Sequence, residues 1–139
     1  MDSATRRLVR ERAADRCESC GLRQVHSPLA ALQIEHIIPR AHGGPDDEEN
    51  LWLGCPICNG HKSDKTHAPD AETGATVALF NPRTQQWSDH FRWAEDGIRI
   101  IGLTPTGRAT VVALRLSDDP DALTVRGYWV QGGWHPPKE

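Results

Sequence analysis

Several features that define other protein classes are missing from this 139-residue sequence. No apolar run approaches the roughly 20 residues that a helix needs to span a bilayer, so neither a membrane-spanning protein nor a membrane partner is expected. The arginine- and alanine-rich stretch 1–16 has no apolar core and does not fit a secretory signal. We find no internal repeat and no low-complexity tract. These absences predict a globular protein in the cytoplasm, of a length typical of one ordinary domain.

The sequence also lacks the net positive charge that nucleic-acid binding usually brings, since its formal net charge is −3. Thirteen of its sixteen cations are arginines, however, and five of these fall within the first sixteen residues: Arg6, Arg7, Arg10, Arg12 and Arg16. Two interpretations stay open, a solvated helix surface and a local face that contacts phosphate. Net charge alone therefore does not exclude a nucleic-acid partner.

Cysteine is scarce but strictly paired. The chain has four cysteines in two Cys-x-x-Cys motifs, Cys17/Cys20 and Cys55/Cys58, and none is left over. A two-residue spacer turns the chain tightly enough for both sulfurs to face one ion at about 2.3 Å, and cytosolic thiols stay reduced. We therefore predict a structural Zn²⁺ bound by all four thiolates, with no coordination position left for chemistry. Two disulfides or a redox Cys-x-x-Cys are the alternatives.

The first part of the chain alternates short elements with loops. Residues 3–15 are expected to form a helix capped by Ser3, and apolar alternation in 29–38 indicates a strand that Pro39 ends. The segment 40–50, with two glycines and four consecutive acids, indicates a solvated loop, and 51–53 a returning strand. A helix is expected to begin near Asn59 and to reach Lys65.

The second part has a different character, which predicts a boundary between residues 1–66 and an extension 67–139 packed on them. We expect strands at 76–80, 87–93 and 98–103, with a hairpin turn at 95–97, and helices at 105–116 and 119–130. The whole is an α+β arrangement in which a β-hairpin and two helices follow the zinc-bearing part. Large aromatics are more often core than partner-binding surface, and both interpretations apply to Trp87, Trp93, Trp129 and Trp134.

Several motifs within residues 16–64 occur together in one order: Glu35-His36-Ile37-Ile38-Pro39, then Gly43-Gly44, then Asn50-Leu51, then Cys55-Pro56-Ile57-Cys58-Asn59-Gly60-His61-Lys62. In order and spacing this series resembles the HNH endonucleases, whose ββα-metal (His-Me finger) core is accompanied here by the four-cysteine site. The stretches 79–83 and 107–110 are also similar to the tail of a bacterial HNH subgroup. Because several independent motifs coincide, the resemblance is more specific than a single motif.

The resemblance implies a metal-dependent endonuclease that hydrolyses phosphodiester bonds in DNA. His36 is the expected general base, since an imidazole accepts a proton near neutral pH. Glu35 and Asn59 take the positions of ligands to a catalytic divalent ion, and oxygen ligands favour Mg²⁺ or Mn²⁺. Asn50 matches the middle residue of the family pattern, whose implied role is to hold the loop and orient His36 through backbone hydrogen bonds.

Two positions depart from the commonest family pattern. Glu35 stands where aspartate is usual, and Asn59 replaces a histidine, with His61 two residues later as a reserve ligand. Asn59 also has a second interpretation, as the N-cap of the following helix. Cations near the motif are candidates for phosphate contact, against a bland role at the surface: Arg40, Lys62 and Lys65.

The rival hypothesis is a non-catalytic, zinc-stabilised module that binds nucleic acid or protein on the same scaffold. Such a module has no reason to keep Glu35, His36 and Asn59 together. Their joint presence favours the enzyme, while protein partners stay open.

Overall fold

The structure of this protein, a computed structural model, describes residues 1–136 and divides into two compact units. The first unit comprises Met1–Thr66 together with Asn81–Gln85. The second comprises His67–Phe80 and the residues from Gln86 onward. Each unit combines helices with small two-stranded sheets, which confirms the predicted mixture of the two. Within residues 1–136, none of the helices has the length and apolar composition that crossing a bilayer requires.

The first unit contains two helices and one two-stranded sheet. Its elements are α1 Ser3–Arg12, β1 Gln33–His36, β2 Leu51–Gly54 and α2 Pro56–Lys62, with 3-10 turns at Gln24–His26, Arg40–His42 and Glu48–Asn50. The order strand, loop, strand, helix follows the sequence prediction.

Helix α1 is capped one residue earlier than the sequence suggests. The side chain of Asp2, and not of Ser3, accepts a hydrogen bond from Thr5 N at 2.7 Å. The helix also ends before Asp15, because Ala14 and Asp15 adopt positive φ angles of 53° and 51°. Val9 is fully buried and gives α1 its apolar contact with the unit.

Strands β1 and β2 form an antiparallel pair in which Gln33 faces Gly54 and His36 faces Leu51. Every residue of β2 is buried, as expected for a strand in the core of a small unit. Ile37 N donates to Asn50 O at 2.8 Å, so the backbone pairing between the two segments continues one residue beyond the strands. This places His36 at the end of the hairpin, next to the loop 40–50.

Helix α2 begins three residues before the predicted start, inside the second Cys-x-x-Cys motif. The Cys55 side chain is its N-cap and accepts from Cys58 N at 3.4 Å, with Pro56 in the first turn. A proline suits that position because its missing N–H has no partner there in any helix. The N-cap interpretation of Asn59 is therefore wrong, since Asn59 lies in the interior of α2, which ends at Lys62.

The second unit contains two further small sheets and three helices. Its elements are β3 His67–Pro69, β4 Thr76–Ala78, α3 Trp87–His90, β5 Phe91–Trp93, β6 Ile100–Gly102, α4 Pro105–Ala113 and α5 Pro120–Gln131. The predicted hairpin turn is present, with Gly97 N donating to Ala94 O at 2.9 Å between β5 and β6. The predicted strand 87–93 is half wrong, since its first four residues are helical.

Aromatic rings form much of the second unit's interior. Trp87 lies 5.2 Å from Phe91 and 5.7 Å from Trp93 between ring centroids, and Trp129 lies 5.3 Å from Trp134. Trp129 is 6% exposed and the other three tryptophans are half-buried. The tryptophans therefore pack within this unit, as the core interpretation predicts.

The residues similar to the bacterial HNH tail have structural roles in this unit. Arg108 binds the buried Asp70 carboxylate through Nε at 2.8 Å and Nη2 at 3.1 Å, and this contact holds the pKa of Asp70 well below its usual value. Thr110 Oγ1 accepts from Phe80 N at 2.9 Å. A side chain on Gly107 would lie 2.0 Å from His90 O, so only glycine fits this close approach.

Candidate active site and metal centre

The four cysteines converge in the first unit, as predicted. All four are buried free thiols, and their sulfurs lie within 4.8 Å of one another. Four sulfurs placed tetrahedrally at about 2.3 Å from one ion would be about 3.8 Å apart. Cys20 Sγ and Cys55 Sγ are 3.8 Å apart, so this geometry is compatible with a structural zinc.

Glu18, within the first Cys-x-x-Cys motif, connects that motif to β2. Its backbone N donates to Leu53 O at 2.9 Å, and its Oε1 accepts from Leu53 N at 3.0 Å. Its other carboxylate oxygen pairs with Arg83, and both side chains are mostly buried. Burial raises the pKa of Glu18 even though Leu53 N and Arg83 oppose the shift. Sequence reasoning missed this pair, which joins the segment Asn81–Gln85 to the zinc-site region.

A cleft of about 510 Å³ lies beside β1 in the first unit. The lining residues come from α1 and the chain before it, from β1 and the turn after it, and from α2 and the residue after it: Met1, Arg6, Arg10, Ile34, Glu35, His36, Pro39, Arg40, Asn59 and Ser63. Of these ten residues, three are arginines and one is acidic. The cleft is thus locally basic on a chain whose net charge is −3.

Glu35 and His36 both line this cleft although they are neighbours on a strand. Side chains of adjacent residues point to opposite faces of a regular strand. His36 is the last residue of β1, and Pro39 follows three positions later. Both residues nevertheless line the cleft, and the strand pairing is regular through both of them.

The His36 imidazole is mostly buried, with 14% of its side chain exposed. Its Nε2 lies 2.6 Å from Oδ1 of Asp46, a residue of the loop between β1 and β2. Arg40 binds the same carboxylate, through Nε at 3.1 Å to Oδ1 and Nη2 at 3.2 Å to Oδ2. Hydrogen bonds from His36 and then Arg40 lower the pKa of Asp46. The candidate base thus has a carboxylate partner that the sequence alone does not identify.

Asn50 connects the loop to the end of β1. Its Nδ2 donates to Ile38 O at 3.0 Å and to Pro45 O at 2.8 Å, while its Oδ1 accepts from Ile38 N at 2.9 Å. The residue is only 7% exposed, so its amide is used within the fold. Gly44 lies against the same atoms, since a Cβ there would be 1.7 Å from Ile38 O.

Asn59 projects from α2 toward β1. Its Nδ2 donates to Gln33 Oε1 at 2.7 Å. An amide held by its nitrogen leaves the Oδ1 lone pairs for another partner. Asn59 and Glu35 both line the cleft, whereas His61 is not one of the lining residues. The two candidate oxygen ligands thus line one cleft, and His61, the reserve candidate, does not.

The three candidate phosphate contacts differ in placement. Arg40 is exposed and lines the cleft. Lys62 is buried, and its Nζ donates to Ile37 O at 3.1 Å and lies 3.5 Å from His36 O. Burial lowers the pKa of Lys62. Lys65 is exposed and donates to His61 O at 2.8 Å. Of the three, Arg40 alone lines the cleft, while Lys62 hydrogen-bonds the backbone at the end of β1.

The five N-terminal arginines fall into three groups by placement. Arg12 Nη2 donates to Glu48 O and, at 2.9 Å, to Leu51 O, which attaches α1 to the unit. Arg10 Nη2 donates to Leu32 O at 3.0 Å and also lines the cleft, as does the exposed Arg6. Arg7 and Arg16 are exposed and are not cleft-lining residues. Of the five, only Arg6 and Arg10 line the cleft.

Residues 17–65 match the family model described as HNH endonuclease. The match begins at the first cysteine of the metal centre and extends through the candidate site to Lys65. Searches of curated proteins and of solved structures found no match.

Proposed function

We propose that this chain, whose residues 17–65 match the HNH endonuclease family model, is a metal-dependent endonuclease that hydrolyses phosphodiester bonds in DNA. One observation carries the proposal. His36, Glu35 and Asn59 line a single cleft together with Arg6, Arg10 and Arg40. This arrangement brings a candidate base, two candidate oxygen ligands and cations for phosphate to one space, beside the β1, β2 and α2 that we assign to a ββα-metal core.

Each group in the cleft has a role in the proposed reaction. His36 removes a proton from the attacking water, because a neutral imidazole accepts protons near pH 7. Arg6 and Arg40 bind phosphate oxygens, and Asn50 keeps the loop against the end of β1. Glu35 and Asn59 would hold Mg²⁺ or Mn²⁺, since hard divalent cations prefer oxygen ligands and keep several positions for water and phosphate. When bound, that ion supplies charge neutralisation at the scissile phosphate and the leaving oxygen. A zinc held by the four cysteines would have no part in this chemistry.

The purified protein is expected to nick supercoiled plasmid DNA when Mg²⁺ or Mn²⁺ is present. One active site per chain makes nicking the simplest outcome for a monomer, and agarose electrophoresis separates nicked from supercoiled plasmid. The control reaction should omit the catalytic ion instead of adding a chelator, because a chelator would also remove the structural zinc. Folded, zinc-loaded protein that binds DNA but cleaves none with either ion would support the non-catalytic module instead.

Arg6→Ala is expected to weaken DNA binding and to reduce its salt dependence. Each lost phosphate contact should lower the slope of log affinity against log salt by about 0.9. Fluorescence anisotropy with a labelled duplex at several salt concentrations measures both quantities. Arg7→Ala is the matched control, since it removes the same charge from the same helix outside the cleft. Identical salt slopes for the two variants would contradict the assignment of Arg6 to phosphate.

A further inference from the structure

Asp46 is an exposed acid whose position in the loop is fixed by several hydrogen bonds. Asn50 binds the backbone of both its neighbours, donating from Nδ2 to Pro45 O at 2.8 Å and from its backbone N to Asp47 O at 2.8 Å. Arg40 binds both carboxylate oxygens, through Nε to Oδ1 and through Nη2 to Oδ2. Half of the Asp46 side chain is exposed, yet the backbone on either side of it and its carboxylate are each held by hydrogen bonds.

The contact between Asp46 and His36 restricts the chemistry of the imidazole. An ionised carboxylate only accepts hydrogen bonds, and a neutral imidazole carries one proton on one of its two nitrogens. With Oδ1 at 2.6 Å from Nε2, the proton must be on Nε2. The lone pair that accepts a proton from water is then on Nδ1. The sequence places four acids together in this loop, and only Asp46 makes this contact.

We propose that Asp46 is a positioning residue for the general base, fixing the orientation and the tautomer of His36 through Nε2. Arg40 supports it by holding the carboxylate in place, which adds a second task to any contact of Arg40 with phosphate. This inference rests on the proposed endonuclease function for its kinetic consequence. The Nε2–H tautomer itself does not depend on catalysis and is testable without it.

Asp46→Ala is expected to lower kcat more than it changes KM, because the base loses its orientation while Arg6, Glu35 and Asn59 keep their contacts. In Ser-His-Asp hydrolases the loss of the correct tautomer costs about 10⁴ in rate, and we expect about 10–10²-fold here because Asp46 is half exposed. Asp47→Ala is the matched control. It removes the same charge from the next residue, whose side chain caps nothing and is exposed. Asp46→Glu, which keeps a carboxylate, should recover part of the lost rate.

The tautomer is measured directly by two-bond ¹⁵N–¹H correlation spectra of the imidazoles, at about pH 8.5, where an ordinary histidine is neutral. His36→Ala assigns the signal. Wild type and Asp47→Ala should show the Nε2–H tautomer, and Asp46→Ala a mixture. An Nδ1–H tautomer in wild type, or equal kcat for Asp46→Ala and Asp47→Ala, would overturn the proposal. If Asp46→Ala shows a mixture where wild type and Asp47→Ala show only the Nε2–H form, but wild type cleaves no DNA, the endonuclease proposal fails and the positioning contact stands.

Discussion

His36→Ala is expected to reduce plasmid cleavage in Mg²⁺ by about 10²–10⁴-fold, the usual contribution of a positioned general base. Residual activity should persist, because the oxygen ligands and the arginines of the cleft are unchanged. Folding should be little affected, since the substitution keeps the backbone pairing of His36 with Leu51 and removes one side-chain contact with Asp46. Initial rates of nicking, measured beside the thermal midpoint of each protein, separate the two effects.

His42→Ala is the matched control for that experiment. His42 belongs to the same loop region but is 52% exposed, does not line the cleft and lies 3.9 Å from Asp64. Its loss should leave the nicking rate close to that of wild type. Cleavage by His36→Ala at the wild-type rate would remove His36 as the base. A large fall in its thermal midpoint would instead assign the lost activity to unfolding.

The first unit was predictable in outline because its determinants are local in sequence. The paired cysteines, the apolar alternation before Pro39 and the glycines of the loop each predict a short element from neighbouring residues. Element boundaries were less predictable. The start of α2 depends on the Cys55 sulfur accepting from Cys58 N, and the start of α1 on Asp2 accepting from Thr5 N. Several residues near each start are capable of capping, so composition alone does not select one.

The contacts of the candidate site were less predictable than its residues. Asp46 is one of four consecutive acids, and the sequence assigns all four to a solvated loop. The distinction arises from a tertiary arrangement in which Asn50 fixes the loop and brings one carboxylate to His36. For Lys62 the sequence suggests a site role that the structure does not favour. A lysine beside the motif is a reasonable phosphate contact, but Lys62 is buried and donates to Ile37 O.

The prediction of a strand at 87–93 was half wrong for a related reason. Aromatic and β-branched residues favour strands only weakly, and packing decides the outcome. Here Trp87 packs against both Phe91 and Trp93, and a short helix before β5 brings these rings together. Ring packing of this kind has no local signature in the sequence.

Cys58→Ser is expected to remove the bound zinc and, with it, the cooperative unfolding of the first unit. Structural zinc sites contribute about 10–16 kcal/mol of apparent binding free energy, which exceeds the net stability of most small domains. The four sulfurs also lie where α2 starts and where Glu18 joins β2, so losing the ion should loosen both. Zinc content by atomic emission and thermal unfolding by circular dichroism measure the two losses.

The control is wild-type protein stripped of zinc and then resupplied with it. Stripped wild type should lose cooperative unfolding and regain it with one equivalent of Zn²⁺, whereas Cys58→Ser should stay non-cooperative at the same concentration. The Mg²⁺ used for plasmid cleavage should not substitute, because thiolates select soft metals and Mg²⁺ prefers oxygen. A zinc-free Cys58→Ser protein that unfolds cooperatively at the wild-type midpoint would mean that the buried sulfurs stabilise the unit by packing alone. The same result would leave the candidate cleft beside β1 intact, so the zinc assignment and the endonuclease proposal are tested separately.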